Sequence, residues 1–298
     1  MFKIGVIGST CIDKIILPDR KKIIKNFGGV VYLLTALSVI FKNKAIIIPV
    51  TKIEKKYKNK FIKLLQKYKN INTNYVYQEP KKTNIVTLKY DKNHLNRCEK
   101  SILKSSSIKY KEIEPILNSV DILIITFISG YDITLKTLTK IRKNYKKIIY
   151  GDIHSLILTK SSNKPRKFKN IKKPDDWIKN FDILQGNLLE WKILLKNSNI
   201  TKNNLKKLII TQGDKGVIGI EKEKIYKIDS VKIKKVIDTT GCGDTFTAGM
   251  IYGILNKLNF KKSLRIANYF AYLKAKKSGF FKPSFKFNIS RICKIRRN

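Results

Sequence analysis

Short apolar runs alternate with amphipathic segments along the chain, and this pattern predicts strands that alternate with helices. The runs typical of buried strands are residues 45–50, 122–126, 148–150, 183–184 and 208–211. Between them, residues 55–68 and 132–143 carry apolar side chains at helical spacing, and Asp132 is placed as an acid in a first helical turn. The alternation is typical of a mostly parallel sheet with helices on both faces, so the predicted fold class is α/β.

Two segments interrupt the alternation and are typical of β-hairpins. They are residues 13–27 and residues 75–103, the second with a predicted central turn at residues 91–93. Residues 153–173 form the longest predicted loop, and a loop of that length inside a compact domain is usually functional or mobile. The chain has no evident internal repeat, and we expect a single domain that spans residues 1–298.

The chain is strongly basic. Lysine and arginine total 64 against 21 acidic residues, which gives a formal net charge of +43 over 298 residues. The lysines are spread along the whole chain, and arginine, which is better suited to bidentate contacts with bases and phosphates, is rare beside lysine. Isoleucine and asparagine are abundant as well, which indicates a compositional drift of the proteome. We expect no specific nucleic-acid partner, only non-specific attraction to polyanions at low salt.

Composition also bears on where the protein works. Hydrophobic residues make up 43% of the chain, which is typical of a globular protein. The longest apolar run, residues 30–41, is shorter than the roughly 18–20 residues that span a bilayer, and residues 1–9 do not resemble a secretion signal. The four cysteines lack C-x-x-C spacing, which argues against a zinc site or a disulfide framework. We expect a cytoplasmic protein with no membrane partner.

The most informative run is Asp238-Thr239-Thr240-Gly241-Cys242-Gly243-Asp244, which directly precedes an apolar helical stretch at residues 245–255. Glycines at the start of a helix let the backbone approach a ligand closely, and the N–H groups and helix dipole there favour an anion. A carboxylate beside such a site is electrostatically unfavourable unless it takes a proton from an attacking hydroxyl. The run therefore indicates an anion hole at residues 241–243 and a general base at Asp244.

This run resembles the signature of the ribokinase-like (PfkB) carbohydrate kinases, Asp-Thr-x-Gly-Ala-Gly-Asp, from which only Cys242 departs. Cysteine is small, so the backbone cradle is expected to persist. The resemblance implies a central, mostly parallel sheet with helices on both faces and a small β-sheet lid, which we assign to residues 13–27 and 75–103. The same resemblance implies that a phosphoryl group is transferred from ATP to an alcohol.

On the acceptor side, Asp13 falls where family members place an acid that binds substrate hydroxyls, and Gly28-Gly29 resembles the substrate motif before the first helix. Many sugar kinases follow the two glycines with small residues and then an asparagine that binds a sugar hydroxyl. This chain has Tyr32 in that stretch and no asparagine. Either the helix is simply core, or Tyr32 lines an altered pocket for a less polar or ringed acceptor. His154, just after a buried strand, is a candidate for a substrate contact or for a structural residue.

On the nucleotide side, further landmarks of the family follow in order. Asn187 and Glu190 resemble its Asn-x-x-Glu element, which implies Mg²⁺ held near Glu190, largely through water. The family's Thr-x-Gly-x-x-Gly nucleotide loop and its adenine contact in the last long helix are matched here by Thr211, Gly213, Gly216 and Asn268. For many members the family implies a monovalent cation, and here Asp238 and Thr240 could supply oxygens to K⁺.

The resemblance and the residues together predict an ATP-dependent phosphotransferase that acts on a hydroxyl of a sugar or sugar-like metabolite. We expect Asp244 to accept the proton of that hydroxyl while its oxygen attacks the γ-phosphate, with the N–H groups of residues 241–243 stabilising the transferred charge. A nucleoside kinase of the same fold is the alternative within this chemistry, and a non-catalytic ribokinase-like regulatory or binding protein is the alternative outside it. We further expect that the exposed edge of the lid is covered by a homodimer contact.

Overall fold

A computed structural model describes residues 1–16, 23–90, 97–160, 162–200, 206–233 and 235–282. The strands in these residues are β1 (Phe2–Ile7), β2 (Thr10–Ile16), β3 (Ile24–Gly29), β4 (Ala45–Glu54), β5 (Val76–Glu79), β6 (Asn84–Tyr90), β7 (Arg97–Ile102), β8 (Ile122–Thr126), β9 (Ile148–Asp152), β10 (Ser162–Lys164), β11 (Ile183–Asn187), β12 (Lys207–Thr211), β13 (Val217–Glu221) and β14 (Lys224–Ile228). The α-helices are α1 (Val31–Phe41), α2 (Lys55–Leu65), α3 (Tyr110–Leu117), α4 (Leu135–Asn144), α5 (Pro174–Ile178), α6 (Leu188–Leu194), α7 (Cys242–Leu255) and α8 (Phe260–Ala275).

A large sheet forms the centre of the fold, with the strand order β14-β13-β12-β11-β9-β8-β1-β4-β5. The strands from β12 to β5 are all parallel, and β13 and β14 extend the sheet antiparallel at one edge. Each of the five apolar runs that predict buried strands lies within one of the parallel strands. The predicted α/β fold class is therefore confirmed.

Helices cover both faces of the large sheet, and the side chains of its strands alternate between the two cores. In β8, Ile122 and Ile124 pack in the core that α1, α2, α7 and α8 complete. Their neighbours Leu123 and Ile125 pack in the opposite core, under α3, α4, α5 and α6. A strand buried on both faces has no polar side to present, which explains why these segments are continuous apolar runs in the sequence. Among the described residues, no helix is both long and apolar enough to cross a membrane.

A second, smaller sheet has the order β10-β7-β6-β2-β3. Strand β6 is its centre, and the adjacent β2 pairs parallel with β6 and antiparallel with the edge strand β3. The predicted turn at residues 91–93 lies outside the described residues. Two assignments within the hairpin and loop segments were wrong. Val76–Glu79 pairs with β4 and extends the large sheet, and Ser162–Lys164, inside the predicted loop, pairs with β7 and lengthens the small one.

The predicted helix at residues 132–143 begins later, at Leu135, because Thr134 is its N-cap and accepts a hydrogen bond from the N–H of Thr137 at 3.1 Å. Asp132 is therefore not an acid of the first turn. Its fully buried carboxylate accepts hydrogen bonds from the backbone N–H of Ser9 at 2.7 Å and of Ser129 at 3.0 Å. Asp132 thus ties the chain after β1 to the chain after β8, beside the carboxyl ends of both strands.

Replacing Asp132 with alanine is expected to destabilise the protein by at least about 3 kcal/mol, because each buried N–H left without an acceptor costs roughly 1–3 kcal/mol. The backbone N–H groups of Ser9, Ser129 and Gly130 all lose their acceptor in this variant. Denaturant unfolding of Asp132→Ala measures the loss. Asp121→Ala is the matched control, because Asp121 accepts from the N–H of Lys3 at an exposed position, where water replaces the lost bond. Equal effects of the two substitutions would contradict this role for Asp132.

Candidate active site

Polar groups gather at one edge of the large sheet because the carboxyl ends of its parallel strands all lie there. Strand β9 ends at Asp152, β11 at Asn187 and β12 at Thr211. Strand β1 leads directly into β2 of the small sheet, which carries Asp13 to the same edge. The N-terminus of α7 completes the group, since Asp13 and Asp152 both lie close enough to Asp244 for their charges to interact. The residues predicted for the acceptor and for the anion thus lie near one another at this edge.

The first turn of α7 is built around two glycines with different surroundings. Gly241 is the N-cap and has a φ of 79°, a left-handed conformation that glycine adopts without strain. A Cβ on Gly241 would lie 2.7 Å from the ring of Tyr32, so a larger residue there would displace the tyrosine. A Cβ on Gly243 would meet no atom within 4 Å, so the turn is open on that side. The backbone at Gly243 is therefore accessible to an anion, whereas the N–H of Cys242 already donates to the carbonyl oxygen of Thr239 at 3.1 Å.

Asp244 lies in this first turn with its side chain mostly enclosed by protein. Burial, which disfavours the charged form, raises the pKa of its carboxyl to about 7, and the negative charge of Asp13 raises it further. A backbone hydrogen bond and the positive charge of Lys274 act in the opposite direction. A carboxyl with a pKa near neutrality exchanges a proton readily at physiological pH, which is the property that a general base needs.

Asp13 is buried on β2 and faces the paired strand β3. Its carboxylate accepts a hydrogen bond from the thiol of Cys11 at 3.1 Å and a long one from the hydroxyl of Tyr32 at 3.5 Å. A Cβ on Gly28 would lie 2.1 Å from Oδ2 of Asp13, so only glycine leaves room for the carboxylate here. Gly29, with a φ of 66°, then turns the chain into α1. Asp13, Gly28, Gly29 and Tyr32 are thus neighbours, as one substrate site requires.

Tyr32 connects the two halves of the cleft. Its hydroxyl reaches Asp13, its ring packs on Gly241, and the ring of Phe280 meets it edge-on at 5.2 Å between centroids. Only 8% of the side chain is exposed. Burial, followed by the negative charges of Asp13, Asp238 and Asp244, raises the pKa of its hydroxyl, so Tyr32 is a hydrogen-bond donor at neutral pH.

A second group of carboxyls lies on the other side of Asp244. Burial raises the pKa of Asp152 well above its ordinary value, and the nearby charges of Glu190 and Asp244 raise it further. Burial likewise raises the pKa of Glu190 to about 7. Asp152 was not among the predicted site residues, although its position directly after a buried strand was a signal for it. Asp152 thus lies near two other carboxyls, and a cation beside it would stabilise its charged form.

Asn187 and Glu190 are joined by reciprocal hydrogen bonds at the start of α6. The side-chain oxygen of Asn187 accepts from the N–H of Glu190 at 2.9 Å, and Glu190 accepts from the N–H of Asn187 at 2.8 Å. This capping box explains the Asn-x-x-Glu spacing by helix stability alone. It also fixes the Glu190 carboxyl at the sheet edge, where Gly186 leaves room for it.

The loop after β12 begins at Thr211 and turns sharply. Gly213 and Gly216 both have positive φ angles, 60° and 96°. A Cβ on Gly216 would lie 2.1 Å from the carbonyl oxygen of Ile228, so that glycine is required by packing against the end of β14. A Cβ on Gly213 would meet nothing within 4 Å, so the backbone there is open to a ligand.

Known proteins share sequence with this chain. The family model described as pfkB family carbohydrate kinase matches residues 50–284, well over half of the chain. The chain belongs to the pfkB family of carbohydrate kinases. The ribokinase of Lactococcus lactis is 37% identical over 101 residues, a match that spans 33% of this chain and 33% of that enzyme. The curated relative is therefore matched over about a third of its length.

Solved structures of the family share the fold along almost the whole chain. The ribokinase of Thermotoga maritima has a TM-score of 0.76 at 20% identity and covers 94% of both chains. The nucleoside kinase of Burkholderia thailandensis in complex with inosine has a TM-score of 0.75 at 15% identity, covering 93% of this chain and 90% of that one. At these sequence identities the structural similarity shows that the chain has the ribokinase-like fold and nothing about its substrate.

The donors in this pfkB-family cleft suit Mg²⁺, which prefers carboxylate and water oxygens. No group of three or more His, Cys, Asp or Glu side chains in the part of the chain that the structure describes could by itself hold a metal ion. A magnesium ion near Glu190 would therefore take most of its ligands from water and phosphate. The role of Glu190 in holding Mg²⁺ through water stays a prediction.

Two expected ligand contacts have other partners in the structure. The side-chain amide of Asn268 donates to the carbonyl oxygen of Asp229 at 2.9 Å and is almost entirely buried. The ring of His154 is exposed, and its Nδ1 lies 2.9 Å from the hydroxyl of Ser155, while its backbone N–H hydrogen-bonds Asp152. An adenine contact by Asn268 and a substrate contact by His154 stay predictions.

Gly28→Ala is expected to weaken acceptor binding, because the added methyl group occupies the position of the Asp13 carboxylate. Misplacing a positioning group by about 1 Å can cost roughly 10²-fold in kcat/KM. Steady-state kinetics should show a raised KM for the acceptor with an unchanged Kd for ADP. Lys25→Ala, at an exposed position of the same strand, is the control. An unaltered acceptor KM in Gly28→Ala would contradict the placement of the acceptor on Asp13.

Asp244→Asn is expected to be more thermostable than the wild type above neutral pH. The folded protein holds the Asp244 proton up to a pH of about 7, whereas the unfolded chain releases it near 3.8, so ionisation across this window destabilises the folded state. Tm measured without divalent cations should diverge as the pH rises from about 4 to about 8. Asp121→Asn, at an exposed position, should show no such divergence. A pH-independent difference between Asp244→Asn and the wild type would show that Asp244 is not held in this protonated form.

Proposed function

We propose that the chain is an ATP-dependent kinase that phosphorylates a hydroxyl of a sugar or sugar-like metabolite. The observation that carries this proposal is that Tyr32 joins Asp13 to the first turn of α7: its hydroxyl lies 3.5 Å from the Asp13 carboxylate and its ring packs on Gly241, two residues before the open backbone at Gly243. A hydroxyl-binding carboxylate, a proton acceptor and an anion cradle are the parts that phosphoryl transfer to an alcohol needs. The family match supports the same reaction class.

In this proposal Asp13 hydrogen-bonds acceptor hydroxyls and orients one of them towards Asp244. Asp244 takes the hydroxyl proton as the oxygen bonds to the γ-phosphorus and the bond to the ADP oxygen breaks. The N–H groups of Gly241 and Gly243 stabilise the negative charge on the transferred group, since the N–H of Cys242 is already hydrogen-bonded within the turn. Asp152 and Glu190 would hold Mg²⁺, largely through water, and the ion would neutralise the charge of the phosphates.

The nucleotide lies along the backbone at Gly213 and Gly216 in this account, because Gly213 is open to a ligand and follows directly from the sheet edge. The small sheet acts as the lid of a single domain, residues 1–298, because β2 of that sheet carries Asp13 while α7 of the main layer carries Asp244. Closing the lid would bring acceptor and base together and exclude water.

A nucleoside acceptor is the second candidate, and one observation favours it. Beside Tyr32 lies a cavity of about 300 Å³. The residues that line it are Asn26, Tyr32, Ser278, Gly279, Phe280 and Lys282. Two aromatic rings beside polar groups suit a flat, hydrogen-bonding base as well as a sugar. The structure of the Burkholderia thailandensis relative with inosine is consistent with such an acceptor.

A non-catalytic regulatory role is less well supported. The raised pKa of Asp244 reflects a buried carboxyl held next to two others, an arrangement that costs folding free energy. A chain without catalytic function would gain stability by losing one of these groups.

We also propose that the edge strand β3 of the small sheet is covered by a second copy of the chain, because an unpaired edge invites association.

Asp244→Asn tests the proposal. Wild-type protein with Mg-ATP is expected to release ADP with one member of a panel of sugars, sugar phosphates and nucleosides. Loss of the general base should lower kcat by at least about 10²-fold, while the Kd for ADP is retained. The kcat/KM of the wild type should rise as the pH passes through the pKa of Asp244, which is about 7 in the free protein.

Asp121→Asn, far from the cleft, is the control and should keep wild-type turnover. Near-full turnover by Asp244→Asn would overturn the assignment of the base. A wild-type protein that binds no ATP or ADP would overturn the kinase proposal itself.

A further inference from the structure

A buried lysine is bound to the start of the loop that leads into α7. Lys274 is in the last turn of α8, and only 1% of its side chain is exposed. Its Nζ donates to the carbonyl oxygen of Asp238 at 3.2 Å, to Oδ2 of Asp238 at 3.3 Å and to the carbonyl oxygen of Lys277 at 2.9 Å. An ammonium group has three N–H donors, so these acceptors satisfy it completely. Burying a charge in this way is unfavourable unless it is paired and fully hydrogen-bonded, and Lys274 meets both conditions.

The ammonium group joins three parts of the chain that frame α7. Asp238 begins the loop that enters α7, and its Oδ1 accepts from the N–H of Thr240 at 2.8 Å. Its Oδ2 also accepts from the N–H of Gly279 at 3.2 Å, in the segment that follows α8. The loop, the end of α8 and that segment are therefore all held around one positive charge. The next residue after Thr240 is Gly241, the N-cap of α7, so this charge helps to position the cradle.

The charge also acts on the reaction centre. The positive charge of Lys274 is near enough to lower the pKa of the Asp244 carboxyl, against the larger effect of burial. A fixed cation under the first turn of α7 adds to the positive end of the helix dipole, where the transferred phosphoryl group would lie. Lys274 therefore favours both an ionised base and a bound anion.

The position of Lys274 conflicts with a monovalent cation at Asp238 and Thr240. Such an ion would need the Asp238 oxygens that the ammonium group already uses, and it would stand beside a like charge with little water between them. Thr240 presents its N–H to Asp238 at this point. An ammonium group is close to K⁺ in size and charge, and like K⁺ it is bound by carbonyl and carboxylate oxygens. The residues present thus hold a tethered cation where a free one would bind.

We propose that the Lys274 ammonium group replaces the monovalent cation in this protein, so that its nucleotide binding and its activity are independent of K⁺. The activity part rests on the proposed function, whereas the stability and binding parts do not. A lysine with a packing role only would also be buried, but its loss would not be restored by a small cation. Cation rescue of a variant therefore separates the two roles.

The first experiment compares wild-type protein in KCl, NaCl and choline chloride at equal ionic strength. The Tm, the Kd for ADP and, where turnover is detected, kcat are measured in each salt. The proposal expects all three to be the same in the three salts. A saturable increase in Tm, ADP affinity or kcat that is specific to K⁺ would overturn it.

The second experiment removes the tethered charge. Lys274→Ala is expected to lower Tm by roughly 5–15 °C, since breaking a buried ion pair is strongly destabilising. It should also weaken ADP binding by disordering the cradle. Ammonium, ethylammonium or K⁺ should restore both properties in a saturable way, and choline should not. Lys274→Met, which fills the space without charge, should be rescued less.

Lys261→Ala, at an exposed position of the same helix, is the control and should show no cation-specific effect. A Lys274→Ala protein that folds but gains nothing from K⁺ or ammonium would overturn the proposal. If neither Lys274 variant folds, the comparison of wild-type protein in the three salts still tests whether K⁺ is needed. If no acceptor is phosphorylated, the Tm and ADP measurements still test Lys274, so failure of the proposed function is distinguishable from failure of this inference.

Discussion

The common direction of the strands from β12 to β5 is the constraint on which the rest of the structure depends. Parallel strands buried on both faces must be covered by helices, and each crossover returns the chain to the same starting edge. The opposite edge, at the carboxyl ends, is then the place where loops and helix N-termini meet. This topology brings together three acidic side chains. They lie at the end of β9, just after β11 and in the first turn of α7.

Bringing these carboxyls together disfavours their charged forms, and the chain offsets this effect only in part. Burial raises the pKa of Asp152, Glu190 and Asp244, and neighbouring carboxyls raise the pKa of Asp152 and Asp244 further. Lys274 offsets part of the repulsion at Asp244 from within the fold. The remaining repulsion is what a magnesium ion with its phosphates would relieve, so we infer that the empty cleft is less stable than the loaded one.

The sequence predicted the features that depend on local pattern. The buried strands, the α7 signature and the family could be read from apolar runs and from glycine spacing. Strand pairing at the sheet edges could not, since β5 and β10 are short and their partners are distant in sequence. The role of Asp132 was missed because a helix-like spacing concealed its buried contacts with Ser9 and Ser129. Lys274 had a faint signal, a lysine one turn after the buried Phe270 on an otherwise apolar face, but its partner Asp238 is visible only in three dimensions.

The central claim is that this cleft transfers a phosphoryl group to an alcohol. Phosphorus NMR of wild-type protein with Mg-ATP and a mixture of sugars and nucleosides tests it most directly. The account predicts that the γ-phosphate signal falls while a phosphomonoester signal on one acceptor grows in proportion. Release of inorganic phosphate alone, or an ATP spectrum that stays unchanged although the nucleotide binds, would contradict the account.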